Sequence, residues 1–109
     1  MKKVTISDLF QAEDKQIVVN ATIDSNPIID VASALLVVQD ADGNEALRLT
    51  LGSGITFSNS AFTLQLTDTN TADLVGKYQF ELWFTDSAGV DTLAIYGSMK
   101  FAPTFGRYN

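Results

Sequence analysis

Two long segments of alternating apolar and polar residues constrain the fold of this chain more than any other feature. Every second residue is apolar from 77 to 85, and the same period recurs from 92 to 101. A period of two places all these apolar side chains on one face of a β-strand. Joined through residues 86–91, the segments form a hairpin with Phe84 opposite Leu93, Leu82 opposite Ile95, Phe80 opposite Gly97 and Tyr78 opposite Met99. A slip of one residue would expose the whole face, so this register is strongly preferred.

Most of the remaining chain follows the same two-residue period, with turn residues between the segments. Further candidate strands are 16–23, 34–39, 46–51, 55–57 and 62–66, and the nearly all-apolar run 34–39 is typical of a strand buried on both faces. One short helical turn is predicted near residues 68–74, where Asp68 or Thr69 can cap it. The pattern predicts a single all-β domain, a sandwich of about 7–9 strands.

The length of 109 residues fits one domain. The β-sandwich domain is assigned to residues 16–102. It follows an N-terminal extension, 1–15, which has only short apolar patches, and precedes a C-terminal tail, 103–109.

Composition excludes several classes of partner. The 13 acidic and 7 basic residues give a net charge of −6, and the basic residues are scattered. Nucleic-acid binding requires clustered Lys and Arg, so we expect no nucleic-acid partner. No apolar run approaches the length of a membrane span, and Asp8, Glu13 and Asp14 interrupt the start of the chain where a signal peptide would be apolar. We therefore expect no membrane partner and synthesis in the cytoplasm.

Catalytic side chains are scarce. The sequence has no His and no Cys, and its carboxylates lie mostly in predicted turns. The segment 40–45 resembles a calcium loop, but its glycine is in the fourth position rather than the sixth, and Leu51 stands where a bidentate Glu is required. A hairpin turn with Gly43 or Asn44 at positive φ explains this segment better. The sequence predicts a protein that is not an enzyme, with no metal and no cofactor.

Trp83 is the most informative single residue. It points away from the apolar face of its strand, beside Gln79, Glu81 and Thr85, with Ala94 opposite and Tyr96 diagonal to it. Two interpretations remain open: another segment covers this patch, or Trp83 and Tyr96 anchor a partner. The complete set of candidate interface residues is Trp83, Tyr96, Phe105, Tyr108 and Phe10.

Residues 62–101, FTLQLTDTNTADLVGKYQFELWFTDSAGVDTLAIYGSMKF, resemble the N-terminal-type domain of phage baseplate upper proteins and related tail or head modules. The resemblance lies in 64–66, the turn 68–74, Gly76-Lys77-Tyr78, the hairpin 86–89, Thr92-Leu93 and Gly97. It extends loosely over residues 15–101. It implies an immunoglobulin-like antiparallel β-sandwich and a structural role in joining virion subunits.

The resemblance leads us to expect a non-catalytic bacteriophage virion structural protein: a tail, baseplate, connector or head-surface component. Such a protein would contact other virion proteins, self-associate, and reside in the virion after synthesis in the host cytoplasm. The alternative is a carbohydrate- or receptor-binding β-sandwich module in which Trp83 is a stacking platform. Replacing Trp83 would distinguish the two roles.

Overall fold

The computed structural model describes residues 2–10, 14–20, 22–23 and 26–102. Ten β-strands are found among these residues, and no helix. The strands are β1 Lys2–Phe10, β2 Lys15–Asn20, β3 Thr22–Ile23, β4 Asn26–Pro27, β5 Ser33–Gln39, β6 Glu45–Leu51, β7 Gly54–Ser58, β8 Ala61–Leu66, β9 Gly76–Thr85 and β10 Asp91–Ala102. The predicted all-β class is confirmed. The described part of the chain has no helix long and apolar enough to cross a bilayer.

Eight strands form one mixed sheet in the order β1-β10-β9-β5-β6-β7-β8-β2, and β3 pairs with β4 separately. The pairs β1–β10 and β6–β7 are parallel, whereas the other pairs are antiparallel. The expectation of a wholly antiparallel arrangement is therefore wrong. Residues 2–10 of the predicted N-terminal extension supply β1, an edge strand of this sheet.

The sheet curls over a shared apolar core. The rings of Phe62 in β8 and Phe84 in β9 have centroids 6.0 Å apart, although three strands separate β8 from β9 in the sheet order. Side chains that are fully buried come from strands along the whole sheet: Leu36, Val38, Ile55, Phe62, Leu64, Leu66, Leu82 and Met99. Burial of this apolar surface is the main stabilising contribution to such a fold.

The β9–β10 hairpin confirms three of the four predicted pairs. Leu82 lies opposite Ile95, Phe80 opposite Gly97 and Tyr78 opposite Met99. The fourth pair is wrong, because the register shifts between Leu93 and Ile95, so that Thr92 rather than Leu93 lies opposite Phe84. Ala94 and Ile95 are both buried at this irregularity. A β-bulge of this kind adds one residue to a strand and breaks strict alternation.

The helical turn predicted near residues 68–74 is wrong. One backbone bond has helical spacing, from Thr71 N–H to Thr67 O, and Leu74 N–H then donates to Thr71 O to close a turn. Side chains also bond to the backbone here: Thr67 N–H donates to Asn70 Oδ1 at 2.8 Å, and Thr71 Oγ1 donates at 2.7 Å to the same Thr67 O that accepts from Thr71 N–H. Such local bonds compete with the helical ladder.

Two hairpin loops have the same hydrogen-bonding pattern. Asp40 Oδ1 accepts from the backbone N–H groups of Asp42 and Asn44, both at 2.9 Å, and Gly43 has φ 84°. The segment that resembled a calcium loop is therefore the predicted hairpin turn, with Gly43 in the left-handed region. Asp86 Oδ1 accepts in the same way from Ala88 N–H at 2.9 Å and Val90 N–H at 3.0 Å.

Asp86→Ala should lower the free energy of unfolding by about 1–2 kcal/mol, because the loop loses both side-chain hydrogen bonds. Urea denaturation followed by circular dichroism would measure the loss. Asp42→Ala is the matched control: its exposed position is in the equivalent loop, and its change should stay within about 0.5 kcal/mol. Equal changes in the two variants would contradict this role for Asp86.

Candidate functional site

The side chains of β5, β9 and β10 that point away from the core form the outer face of the sheet. In β9 burial alternates strictly, with Tyr78, Phe80, Leu82 and Phe84 buried and their neighbours exposed or half-buried. The outer face is defined by Leu35, Val37, Gln39, Lys77, Gln79, Glu81, Trp83, Leu93, Tyr96 and Ser98. The inward side chains of the same three strands lie in the core.

Cross-strand pairing arranges these side chains in three rungs. From β5 through β9 to β10, the rungs are Leu35–Trp83–Leu93, Val37–Glu81–Tyr96 and Gln39–Gln79–Ser98. Side chains on one rung are direct neighbours. The face therefore changes along the strands from an apolar rung to a rung of amides and a hydroxyl.

Trp83 and Tyr96 lie on adjacent rungs of neighbouring strands, and each has 36% of its surface exposed. The indole Nε1–H of Trp83 donates to Glu81 Oε1 at 3.2 Å. The prediction that Ala94 faces Trp83 is wrong, because the bulge places Leu93 there and leaves Ala94 buried. Trp83 and Tyr96 lie diagonal to each other, as the sequence predicted.

Two depressions lie on this face. The first, about 360 Å³, is lined by Val37, Gln39, Lys77, Gln79, Phe80, Glu81, Tyr96, Gly97 and Ser98. The second, about 450 Å³, is lined by Ser33, Ala34, Leu35, Trp83, Thr85 and Asp91. Each depression combines one exposed aromatic side chain, Tyr96 or Trp83, with groups that donate and accept hydrogen bonds.

The outer side of β9 and β10 has no excess charge. Lys77 and Lys100 are balanced by Glu81 and Asp91, so the net charge of −6 comes from elsewhere in the chain. On the neighbouring strand β6, Arg48 bonds to Glu45 with an N–O distance of 2.7 Å. This hydrogen bond, with the charge of the guanidinium, lowers the pKa of Glu45, and the pair adds no net charge. The face is electrostatically suited to an uncharged ligand.

The residues that the structure describes do not fit a transition-metal site. Metals such as copper favour imidazole, thiolate and thioether ligands. The sequence has no His and no Cys, and Met99 is fully buried in the core. Within the described ranges, no group of three or more Asp or Glu residues is placed to hold a metal ion.

The structure brings together two of the five predicted interface residues. Trp83 and Tyr96 share the outer face, whereas Phe10 lies in β1, where its backbone pairs with Ala102. Phe105 and Tyr108 lie outside the described residues. Sequence reasoning missed Leu35 and Val37, because the apolar run 34–39 was interpreted as buried on both faces. Both side chains are only half-buried. Their outward direction could have been inferred from their pairing, since Leu35 lies opposite Trp83 and Val37 opposite Glu81.

Comparison with known proteins identifies a fold and no family. No family model matches the sequence, and no curated protein matches it. Among solved structures, the crystal structure of CopC from Methylosinus trichosporium OB3b is similar, with a TM-score of 0.54 and 16% sequence identity. The match covers 94% of this chain and 90% of that one. At this level of identity the similarity shows the fold alone.

This comparison contradicts the predicted virion role. A solved structure that matches nearly the whole chain is CopC, which is not a phage structural protein. The prediction of a tail, baseplate, connector or head-surface component is therefore wrong, and so is the predicted virion location. The resemblance of residues 62–101 to a baseplate domain stays a prediction, as do self-association and the lack of nucleic-acid and membrane partners.

Proposed function

We propose that this chain is a non-catalytic binding domain that holds an uncharged saccharide on its outer face. The observation that carries the proposal is Trp83, an exposed indole that lines the second depression and donates its Nε1–H to Glu81, which lines the first. A fixed aromatic ring binds at little cost in conformational entropy. Large aromatic side chains of this kind are the usual anchors of binding surfaces.

The chemistry of a sugar matches this arrangement. A pyranose ring presents C–H groups on its faces, which pack against an aromatic ring, and hydroxyls around its edge. Each hydroxyl both donates and accepts, so the amides of Gln39 and Gln79 and the hydroxyl of Ser98 are suitable partners. The balanced charge of the outer side of β9 and β10 favours a neutral ligand over an anionic or cationic one.

Binding without catalysis is part of the proposal. General acid–base chemistry on a sugar needs two carboxyl groups flanking the scissile bond. The carboxylates nearest the two depressions already have partners, since Glu81 accepts from Trp83 and Asp91 accepts from Thr85 Oγ1 at 2.6 Å. We propose that both carboxylates position neighbouring side chains and take no part in bond cleavage.

We also propose that the curled sheet forms the two layers of an immunoglobulin-like sandwich. In support, β6 and β7 pair only at Thr50–Gly54 and Leu51–Ile55, so the sheet is nearly divided there. The contact between the rings of Phe62 and Phe84 is one that facing layers would make. A crystal structure in which β6 and β7 paired along their whole length would contradict this arrangement.

The test uses the intrinsic fluorescence of Trp83, which is the single Trp of the chain. Neutral oligosaccharides built on glucose, mannose and N-acetylglucosamine would be titrated into the protein, and calorimetry would confirm each Kd. At least one series should change the fluorescence saturably. Trp83→Ala should weaken calorimetric binding by about tenfold or more, because the stacking surface is lost.

Val18→Ala is the control, because it also shortens an exposed apolar side chain but lies in β2, away from the outer face. It should leave the Kd unchanged. The proposal fails if no neutral series binds in the millimolar range, or if Trp83→Ala binds as tightly as the parent protein.

A further inference from the structure

We propose, on the basis of that function, that the ligand is a chain of at least two sugar units that occupies both depressions at once. The depressions are neighbours on one continuous face. Glu81 lines the first and Trp83 the second, and the hydrogen bond between these two side chains spans the boundary. Because Tyr96 lies opposite Glu81, two residues from Trp83 on β9, the aromatic residues of the two sites are about 7 Å apart along the strands.

Each depression is equipped to hold a sugar unit by itself. Tyr96 supplies the aromatic surface of the first, and Trp83 that of the second. Both rings are exposed to the same extent, 36%, so a ligand on one ring leaves the other in contact with water. A single sugar unit would contact only one of these two rings.

The polar groups differ between the two sites, which gives the bound chain a direction. The first site presents the amides of Gln39 and Gln79 with the hydroxyl of Ser98. The second presents Ser33, Thr85 and the carboxylate of Asp91, of which Oδ1 accepts from Thr85. Amides donate and accept, whereas a carboxylate only accepts, so the second site favours a unit that presents hydroxyl donors.

If neighbouring units of one ligand bind in the two depressions, affinity should depend on the length of the ligand. Once one unit is bound, the next binds at a high effective concentration because the glycosidic bond holds it beside its site. Kd should fall roughly tenfold or more from the monosaccharide to the disaccharide or trisaccharide, and then level off. The experiment titrates one homologous series, from one to six units, followed by Trp83 fluorescence and by calorimetry.

Tyr96→Ala separates the two sites, since it removes the aromatic surface of the first and leaves Trp83 in place. In this variant the gain in affinity with length should disappear, because a sugar unit can stack only in the second site, beside Trp83. Tyr96→Phe keeps the ring and should restore the dependence on length. Circular dichroism and urea denaturation would confirm that both variants are folded.

The outcomes distinguish this inference from the function on which it rests. If the series binds with one Kd at every length, or Tyr96→Ala keeps the full gain, the two-site arrangement is wrong and saccharide binding stands. If no member of any neutral series binds, saccharide binding itself is wrong.

Discussion

Replacing Phe62 with alanine should lower the free energy of unfolding by about 3–5 kcal/mol, the usual cost of truncating a buried Phe. The side chain is fully buried, and its ring lies 4.8 Å from that of Phe57 and 6.0 Å from that of Phe84. Through Phe84 it joins β8 to β9, two strands that are not neighbours in the sheet. Urea denaturation followed by far-ultraviolet circular dichroism would measure the loss.

Phe57→Ala is the matched control, because it removes the same ring from the same cluster at a half-buried position. Its loss should be clearly smaller, since less apolar surface returns to water. Comparable losses in the two variants would show that the contact of Phe62 with Phe84 adds no stability beyond that of the β7–β8 pair. The expectation that this contact stabilises the curled sheet would then be wrong.

Gly54→Ala should destabilise the protein by about 2–4 kcal/mol, from an unfavourable backbone conformation together with overpacking. Gly54 has φ 100°, and a Cβ placed there would lie 2.6 Å from Leu49 Cδ2 and 3.2 Å from Leu49 Cγ. Leu49 is buried in the core and has little room to move. Thermal and urea denaturation would measure the effect.

Gly52→Ala isolates the backbone contribution. Gly52 has φ 87°, but no atom lies within 4 Å of the position that a Cβ would take, so only the conformational cost of about 1–2 kcal/mol is expected. The difference between the two variants measures the contact with Leu49. If Gly52→Ala destabilised the protein as much as Gly54→Ala, the close contact between Gly54 and Leu49 would not contribute to the effect of Gly54→Ala.

Elements whose geometry depends on neighbouring residues in the chain could be predicted from the sequence. Three pairs of the β9–β10 hairpin could be predicted because the strict alternation of β9 and the inward positions Ile95, Gly97 and Met99 of β10 agree on one register. The bulge could not, because Leu93, Ala94 and Ile95 are consecutive apolar residues and either alternation fits them. The parallel pairing of β1 with β10 has no local signature, since it is decided by which sheet edge remains open.

The candidate site was predictable in part for the same reason. Trp83 and Tyr96 stand at outward positions of a regular strand pair, so their placement followed from the hairpin. The outward position of Leu35 could not be predicted, because a run that is apolar from residue 34 to 38 gives no sign of which face is buried. The virion role that the resemblance implied was wrong, because a strand opening at Gly76 and a hairpin turn at Gly89 specify backbone geometry, which unrelated functions share.

The parallel pairing of β1 with β10 has a consequence for the order of assembly. Lys2 lies beside Ile95, so the contact joins segments from opposite ends of the described chain. During synthesis β1 is made before β10, its partner in the sheet. Closing so long a loop is entropically costly, and folds dominated by distant contacts form slowly. Until β1 docks, the edge of β10 is unpaired and can pair with a strand of another chain.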